Sequence, residues 1–593
     1  VENKQQRESQ APQWVRTWAE FILKQASNDI KQNEQSINLI EQILLATTQG
    51  DSCIEKPESA LEQLHHLMVT DEQASHQQVA PFVSDEQYLY LYRYWSLEQR
   101  LALQVKRLKQ QNIDPVDVQA FEHLLQDVHQ KSALSMVAKN ALNIITGGPG
   151  TGKTYTLARI IAVLSQAMPD IRIAMAAPTG KAAQRMKEAM QSSFADEKLN
   201  ALGLVSARLK QQDTFTLHRL LGLGTQFKAR FNLKQPLPYD VIVIDEASML
   251  DLNLATLLFE AVPDHCRLIL LGDANQLASV DVGSVLADLQ NVDALAENCV
   301  NLITTRRFKA GARIGETAQF IQSAKYQTDS AQMLHAFEKQ IVTAGELQPI
   351  PLKQGMNDVV QLEYITDQST DQISAVALTQ YYEKLSSGYQ DYFHALDAYM
   401  QNGYTEENVP KVIDAFDRYR ILTAIRYGEL GLDRLNGEMQ KALLKALPRI
   451  VKQGDWYIGR PVMMSYNDYQ LGVSNGDIGL CFKHRTQADL FEVYFPSLDK
   501  WLPATRLPKS IQTAFALTIH KSQGSEFMHT TVVLDESATK LLSQELIYTA
   551  ITRAKSVVSL LVSPNALRQA LTIKTTRRSG LVNKMNKIVL SNI

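Results

Sequence analysis

Gly147-Gly148-Pro149-Gly150-Thr151-Gly152-Lys153-Thr154 has the form GxxxxGK[ST], and reading it decides what kind of fold this chain must have. Glycines in such a loop let backbone amides turn inward around a β-phosphate. Lys153 neutralises the β/γ oxygens, and the Thr154 hydroxyl suits Mg²⁺. The flanks fit: Ala141 to Thr146 is an apolar strand candidate, and Tyr155 to Leu164 continues as a helix. Strand, loop and helix in that order put the phosphates at a helix N-terminus. A glycine-rich turn with no ligand is the bland alternative, and these flanks argue against it. ATP with Mg²⁺ is the expected ligand, cradled by residues 147 to 154 with Tyr155 beside them.

Working outward, short apolar runs alternate with helical stretches. Asn143 to Thr146, Ile171 to Ala177, Val241 to Ile244 and Leu268 to Leu271 read as strands of one parallel sheet. A second set, at Tyr419 to Thr423, Ala514 to Ile519, Thr531 to Leu534 and Val557 to Val562, predicts a second sheet of the same α/β class. Residues 455 to 505 carry hairpin signals such as Asn475-Gly476 and predict a small β insertion. Residues 330 to 415 are rich in glutamine and weakly patterned.

Val241-Ile-Val-Ile-Asp245-Glu246 ends a buried strand in an acidic pair. There Asp245 can hold Mg²⁺ and Glu246 can orient and deprotonate an attacking water. Gln276 follows the next strand, where an amide can both donate to a phosphate and accept from water. Arg306-Arg307-Phe308 and Arg553 offer guanidinium groups for charge that builds on a transferring phosphoryl group. Each alone would more often be an ordinary loop or salt-bridge residue; together, downstream of the loop, they form a hydrolysis set.

The chain has 593 residues and a net charge of −3, so its summed electrostatics do not announce a nucleic-acid partner. Length predicts three or four domains. The first hundred residues hold 15 acids and 8 bases, which suits a protein partner better than DNA phosphates. Residues 564 to 593 hold six bases and no acid, by default a solvated face. Trp14, Val15, Trp18, Phe21 and Ile22 recur at helical spacing, and residues 1 to 115 read as helical. Four scattered cysteines argue for a reducing, cytoplasmic setting; no signal segment or membrane span is evident.

Further segments carry a resemblance. Gln130-Lys-Ser-Ala133 lies 17 residues before Gly147 and resembles an adenine-reading Q motif. Ala177-Pro178-Thr179-Gly-Lys-Ala-Ala183, Thr216-Leu-His218-Arg-Leu-Leu-Gly222, Asn475-Gly-Asp-Ile-Gly479 and Thr575-Thr-Arg-Arg-Ser-Gly-Leu581 extend the match. So does Thr518-Ile-His520-Lys521-Ser522-Gln523-Gly524. The set resembles superfamily 1 helicases, and in detail the RecD family, α subunits of exodeoxyribonuclease V. The resemblance implies two RecA-like domains, at 116 to 330 and 331 to 593. A helical N-terminal docking domain (1 to 115) precedes them, and the β insertion becomes a small β-barrel. It implies a motor moving 5′ to 3′ on single-stranded DNA, unwinding duplex beside RecB-like and RecC-like subunits in a heterotrimer, in double-strand-break repair and recombination. The family has an aromatic at the place of Arg306, so the finger role goes to Arg307. Pro178, Thr179, His218, Thr518, His520, Lys521, Ser522 and Gln523 become the expected strand contacts, short donors and bases suited to phosphate rather than base edges.

Two other readings compete. A free-standing RecD-like helicase would carry a longer N-terminal extension than this short acidic one. A P-loop switch ATPase would have no need of the histidine-bearing segment 518 to 524. No separate two-metal nuclease cluster is evident, so any cutting is expected to fall to another subunit.

Overall fold

The computed structural model describes residues 12–26, 34–224, 228–303, 312–323, 329–365 and 373–590. Its centre is a six-stranded parallel sheet in the order Cys299–Leu302, Leu142–Gly147, Arg267–Gly272, Val241–Ile244, Ile173–Ala177, Thr214–Thr216. The inner strands are apolar throughout because both faces are covered. Ile144, Ile242 and Leu270 pack on one side with Leu101 and Phe259. Ile145, Val243 and Leu271 pack on the other with Leu157 and Ile161 of helix Lys153–Ala167. Every strand runs the same way, so the segments after Gly147, Ala177, Ile244 and Gly272 all leave at one edge, the usual place for a ligand in such sheets.

A second parallel sheet holds Val359–Tyr364, Ala554–Val562, Phe527–Leu534, Tyr419–Thr423 and Ala516–Thr518, in that order. Residues 330 to 415 supply its edge strand Val359–Tyr364 and helices Ser330–Gln340, Ala375–Ser387, Gln390–Gln401 and Val409–Asp417. Much of their buried content is aromatic: Tyr381, Tyr389, Tyr392, Phe393 and Tyr399 share one core with Leu385, Leu396 and Val412.

Three expectations are corrected. The insertion is a five-stranded antiparallel sheet, Lys500–Pro503, Phe491–Phe495, Ile478–Lys483, Pro461–Met463, Gln512–Thr513. Its two edge strands do not pair with each other, so it is an open sheet rather than a closed barrel, and it reaches past 505 to Thr513. The N-terminal region is not simply helical. Between helices Gln13–Ala26, Glu34–Thr48 and Tyr92–Gln110 lies a four-stranded sheet, Cys53–Glu55, Tyr88–Leu91, Phe82–Ser84, Met68–Thr70. The basic tail is also not merely a solvated face. Leu581 and Met585 of helix Leu581–Leu590 pack into the first sheet's core beside Leu101. No helix among the described residues is long and apolar enough to cross a membrane.

Candidate active site and strand path

Gly150 and Gly152 lie at φ +74° and +84°, the left-handed region that side-chain-bearing residues avoid. A Cβ on Gly147 would run into Thr151 Oγ1, and one on Gly148 would sit 3.2 Å from the Tyr548 hydroxyl. The Thr151 hydroxyl donates to the Gly148 carbonyl at 2.7 Å and stiffens the turn. Lys153 Nζ donates to the carbonyls of Gly147 (2.5 Å) and Gly148 (3.1 Å), so the ammonium lies along the loop's own backbone. Thr154 follows in the first turn of helix Lys153–Ala167, and Pro149 lies half-buried in the loop.

Gln130 is fully buried on helix Val128–Lys139. Its Oε1 accepts from the Gln126 amide, and its Nε2 stands 3.0 Å from where a Gly152 Cβ would be. Tyr155 sits beneath Arg159, whose guanidinium carbon is 3.3 Å from the ring centroid. Gln130 and Tyr155 therefore flank the loop at its helix end.

The Asp245-Glu246 pair ends strand Val241–Ile244. Burial raises the Asp245 carboxyl above its ordinary range, and the Glu246 carboxylate raises it further, against the pull of Arg185 and Lys153. Glu246 has φ +53° and is buried; its Oε1 takes a 2.5 Å bond from Arg185. Arg185 also lies 3.4 Å from Glu526 of the second sheet's side. Burial works against the Arg185 charge, but Glu246, Glu526 and Asp245 together raise its pKa. A crowded, desolvated acidic pair of this kind fits a divalent cation at Asp245.

The loop after Gly272 bridges the two sheets. Asp273 is buried, and its Oδ2 accepts 2.6 Å from the Tyr548 hydroxyl. The Leu277 amide donates to Thr549 Oγ1 at 2.8 Å, and Gln523 Nε2 donates to the Leu277 carbonyl at 2.7 Å. Gln276, between them, is 9% exposed, and its buried Oε1 has no hydrogen-bond partner among the described residues. Arg553 is buried and, among the described residues, donates to neutral oxygens, those of Thr549, Ser525 and Thr552. Burial lowers its pKa while Glu246 opposes that. Arg306 and Arg307 lie outside the described residues.

The expected strand contacts divide. Pro178, Thr179, His218, Thr518 and His520 are half-buried, and Lys521 is exposed. Thr179 caps helix Gly180–Phe194 by accepting from the Ala182 amide. Burial keeps His218 and His520 below the usual histidine range, with Arg577 adding to the effect on His520, so both rings are neutral near pH 7. Ser522 and Gln523 are engaged within the protein. The Ser522 hydroxyl is buried and donates to the Ile519 carbonyl, and the Gln523 side chain is the bridge to Leu277.

Residues 130–282 match the AAA domain family, and residues 513–561 match the UvrD-like helicase C-terminal domain. The RecBCD enzyme subunit RecD of Haemophilus influenzae is 31% identical over 566 residues, covering 87% of this chain and 82% of that protein. This chain belongs to the RecD family. The ATP-dependent RecD2 DNA helicase of Deinococcus radiodurans is 28% identical, covering 72% of this chain but 47% of that protein. A crystal structure of Pif1 helicase from Bacteroides with ADP-AlF3 and ssDNA aligns over 73% of this chain and 92% of that one, at 15% identity and a TM-score of 0.37.

The chain's two parallel sheets give a mixed α/β fold, and three residues of its site escaped sequence reasoning. Arg185 lies two turns into a helix and meets Glu246 only because strands Ile173–Ala177 and Val241–Ile244 are neighbours. Tyr548 and Thr549 stand in the segment that carries Arg553, but nothing in that segment reveals what lies across the cleft.

Proposed function

We propose that this chain is an ATP-dependent DNA helicase that moves 5′ to 3′ on single-stranded DNA as the α subunit of a RecBCD-type heterotrimer, with RecB-like and RecC-like partners. One observation carries the reading. The loop Asp273–Leu277, leaving the ATP-side edge of the first sheet, is held by Tyr548, Thr549 and Gln523 from the second. Gln523 is three residues from His520, in the proposed strand-binding segment, so a change at the phosphate end reaches the strand through two hydrogen bonds.

In this reading Lys153 and the loop amides hold the triphosphate, with Gln130 and Tyr155 at the base. Thr154 and Asp245 would hold Mg²⁺, which when bound neutralises phosphate charge. Glu246, oriented by Arg185, accepts a proton from the attacking water while the bond from the γ-phosphorus to the β–γ bridging oxygen breaks. Gln276 senses the γ-phosphate. Arg553 and Arg307 supply positive charge to the departing group. Pro178, Thr179, His218, Thr518, His520 and Lys521 line the strand path.

Two assays test this. Lys153→Gln should abolish strand-stimulated ATP hydrolysis in a protein that stays folded. Unwinding by the full chain should require a 5′ tail and fail with only a 3′ tail; the reverse preference overturns the assigned direction.

A further inference from the structure

Asn475-Gly476-Asp477 is a turn that leads into strand Ile478–Lys483 of the insertion, with Gly476 at φ +90°. Asp477 is 2% exposed. Its Oδ2 accepts from the Ser474 amide at 2.7 Å, whereas its buried Oδ1 has no hydrogen-bond partner among the described residues. That oxygen presses on the first residue of helix Gly180–Phe194, 2.7 Å from where a Cβ on Gly180 would be. The same first turn is touched by Gly524, whose absent Cβ would lie 2.8 Å from Ala182 Cβ and 3.1 Å from Thr179 Oγ1. Beside it, Lys521 Nζ donates to Asn475 Oδ1 at 2.7 Å.

A helix N-terminus attracts anions through its dipole and the first-turn amides its cap leaves unmade, and this 15-residue helix opens at Thr179 and Gly180, on the proposed strand path. Here the position is taken by a carboxylate of the protein itself. The carboxylate makes poor use of it, because Oδ1 takes no donor, and burial raises the Asp477 carboxyl to about 6. A buried acceptor left unmade is unfavourable, so the contact is easily displaced. Lys521 is likewise engaged with a neutral amide rather than a counter-ion.

We propose that Asp477 stands in for a strand phosphate, covering the N-terminus of helix Gly180–Phe194 until DNA arrives. An incoming phosphate and the Asp477 carboxylate cannot share this helix end. The turn then lifts, Asn475 releases Lys521, and the freed ammonium closes on the backbone. Asp477 is thus a positioning residue that sets how readily the strand enters, and the idea rests on the DNA-helicase reading above.

Binding of a fluorescein-labelled oligothymidylate to the full chain, without nucleotide, tests it. Asp477→Asn keeps the bond from Ser474 but removes the charge, and should bind about three- to tenfold more tightly. In the unaltered protein, strand addition should speed amide hydrogen exchange across Ser474 to Ile478. That measurement decides the matter alone should the variant misfold. Unchanged or weaker binding by a folded Asp477→Asn protein overturns the inference and leaves the helicase reading intact, as does slower or unchanged exchange in that turn. An unaltered protein that binds no oligothymidylate takes both down.

Discussion

Arg185 governs the geometry of the proposed general base. Glu246 sits in a left-handed backbone conformation that costs a non-glycine residue about 1 kcal/mol or more. The 2.5 Å bond from Arg185 holds its carboxylate in place. Removing the guanidinium leaves a buried carboxylate without its cation, free to turn away from the water it must orient. Arg185→Ala should lower kcat for strand-stimulated ATP hydrolysis by about 10- to 100-fold, the scale of one lost orienting or electrostatic contact. Because Arg185 keeps 30% of its side chain exposed, the stability loss in urea should be modest, about 1–2 kcal/mol. Arg185→Lys should recover part of the rate. An Arg185→Ala protein with unaltered kcat would reduce the pair to a structural role.

Among the elements, those buried on both faces were legible from sequence. Val241–Ile244 and Tyr419–Thr423 match their apolar runs residue for residue. The strands that escaped notice are mostly at edges: Thr214–Thr216, Cys299–Leu302 and Val359–Tyr364. An edge strand packs less, so polar residues such as Asn301 or Gln361 interrupt its apolar signal. The N-terminal sheet escaped for another reason, since strands of three or four residues are too short to show a period. The same split holds in the site. The phosphate loop and the acidic pair are legible because their geometry needs consecutive residues, whereas Arg185, Tyr548 and the inward turn of Gln523 depend on which strands are neighbours. The short helix Val285–Gln290 shows what such neighbours do to a charge. Burial pushes its Asp288 carboxyl up to about 7, helped by Glu98 and opposed by a hydrogen bond with Ser579. A carboxyl raised on folding binds more protons in the native state. Its contribution to stability is therefore greatest below its unfolded value near 4 and is lost as pH rises through about 7. Asp288→Asn should match the parent in urea only below about pH 4 and increasingly exceed it as pH rises to 8, by an amount on the order of 1 kcal/mol or more. A gap that is the same at both pH values would remove Asp288 from the balance.

Across the whole molecule the chain's last turn matters most. Helix Pro564–Thr572 packs into the second sheet's core through Ala566, Leu567 and Leu571. Ile573 to Thr576 are exposed, and the residues from Arg577 onward are anchored on the other side. Arg577 donates to the carbonyls of Asp281 (2.7 Å), Gly283 (2.9 Å) and Ser279, just beyond Gln276. Glu98, fully buried on helix Tyr92–Gln110, accepts from Ser52, Ser579, the Gly580 amide and Lys584 Nζ. The tail therefore ties the N-terminal region to the domain of the first parallel sheet and links it to the second, so in the proposed motor the strap 573 to 576 would have to follow any closure of the two on ATP. Lys584 is the weak point of this anchor, since Lys584→Ala removes the cation and its buried stem and leaves the fully buried Glu98 carboxylate with neutral donors alone, a local cost of about 3–5 kcal/mol. Limited trypsin digestion should then cut near Lys574 and Arg578 much faster than in the parent, and strand-stimulated ATP hydrolysis should fall severalfold as Arg577 lets go of the loop beyond Gln276. Replacing both partners, Glu98→Leu with Lys584→Met, removes the stranded charge and should restore much of the protease resistance. A Lys584→Ala tail as protected as the parent's would mean that the apolar packing of Leu581 and Met585 holds the tail without the ion pair.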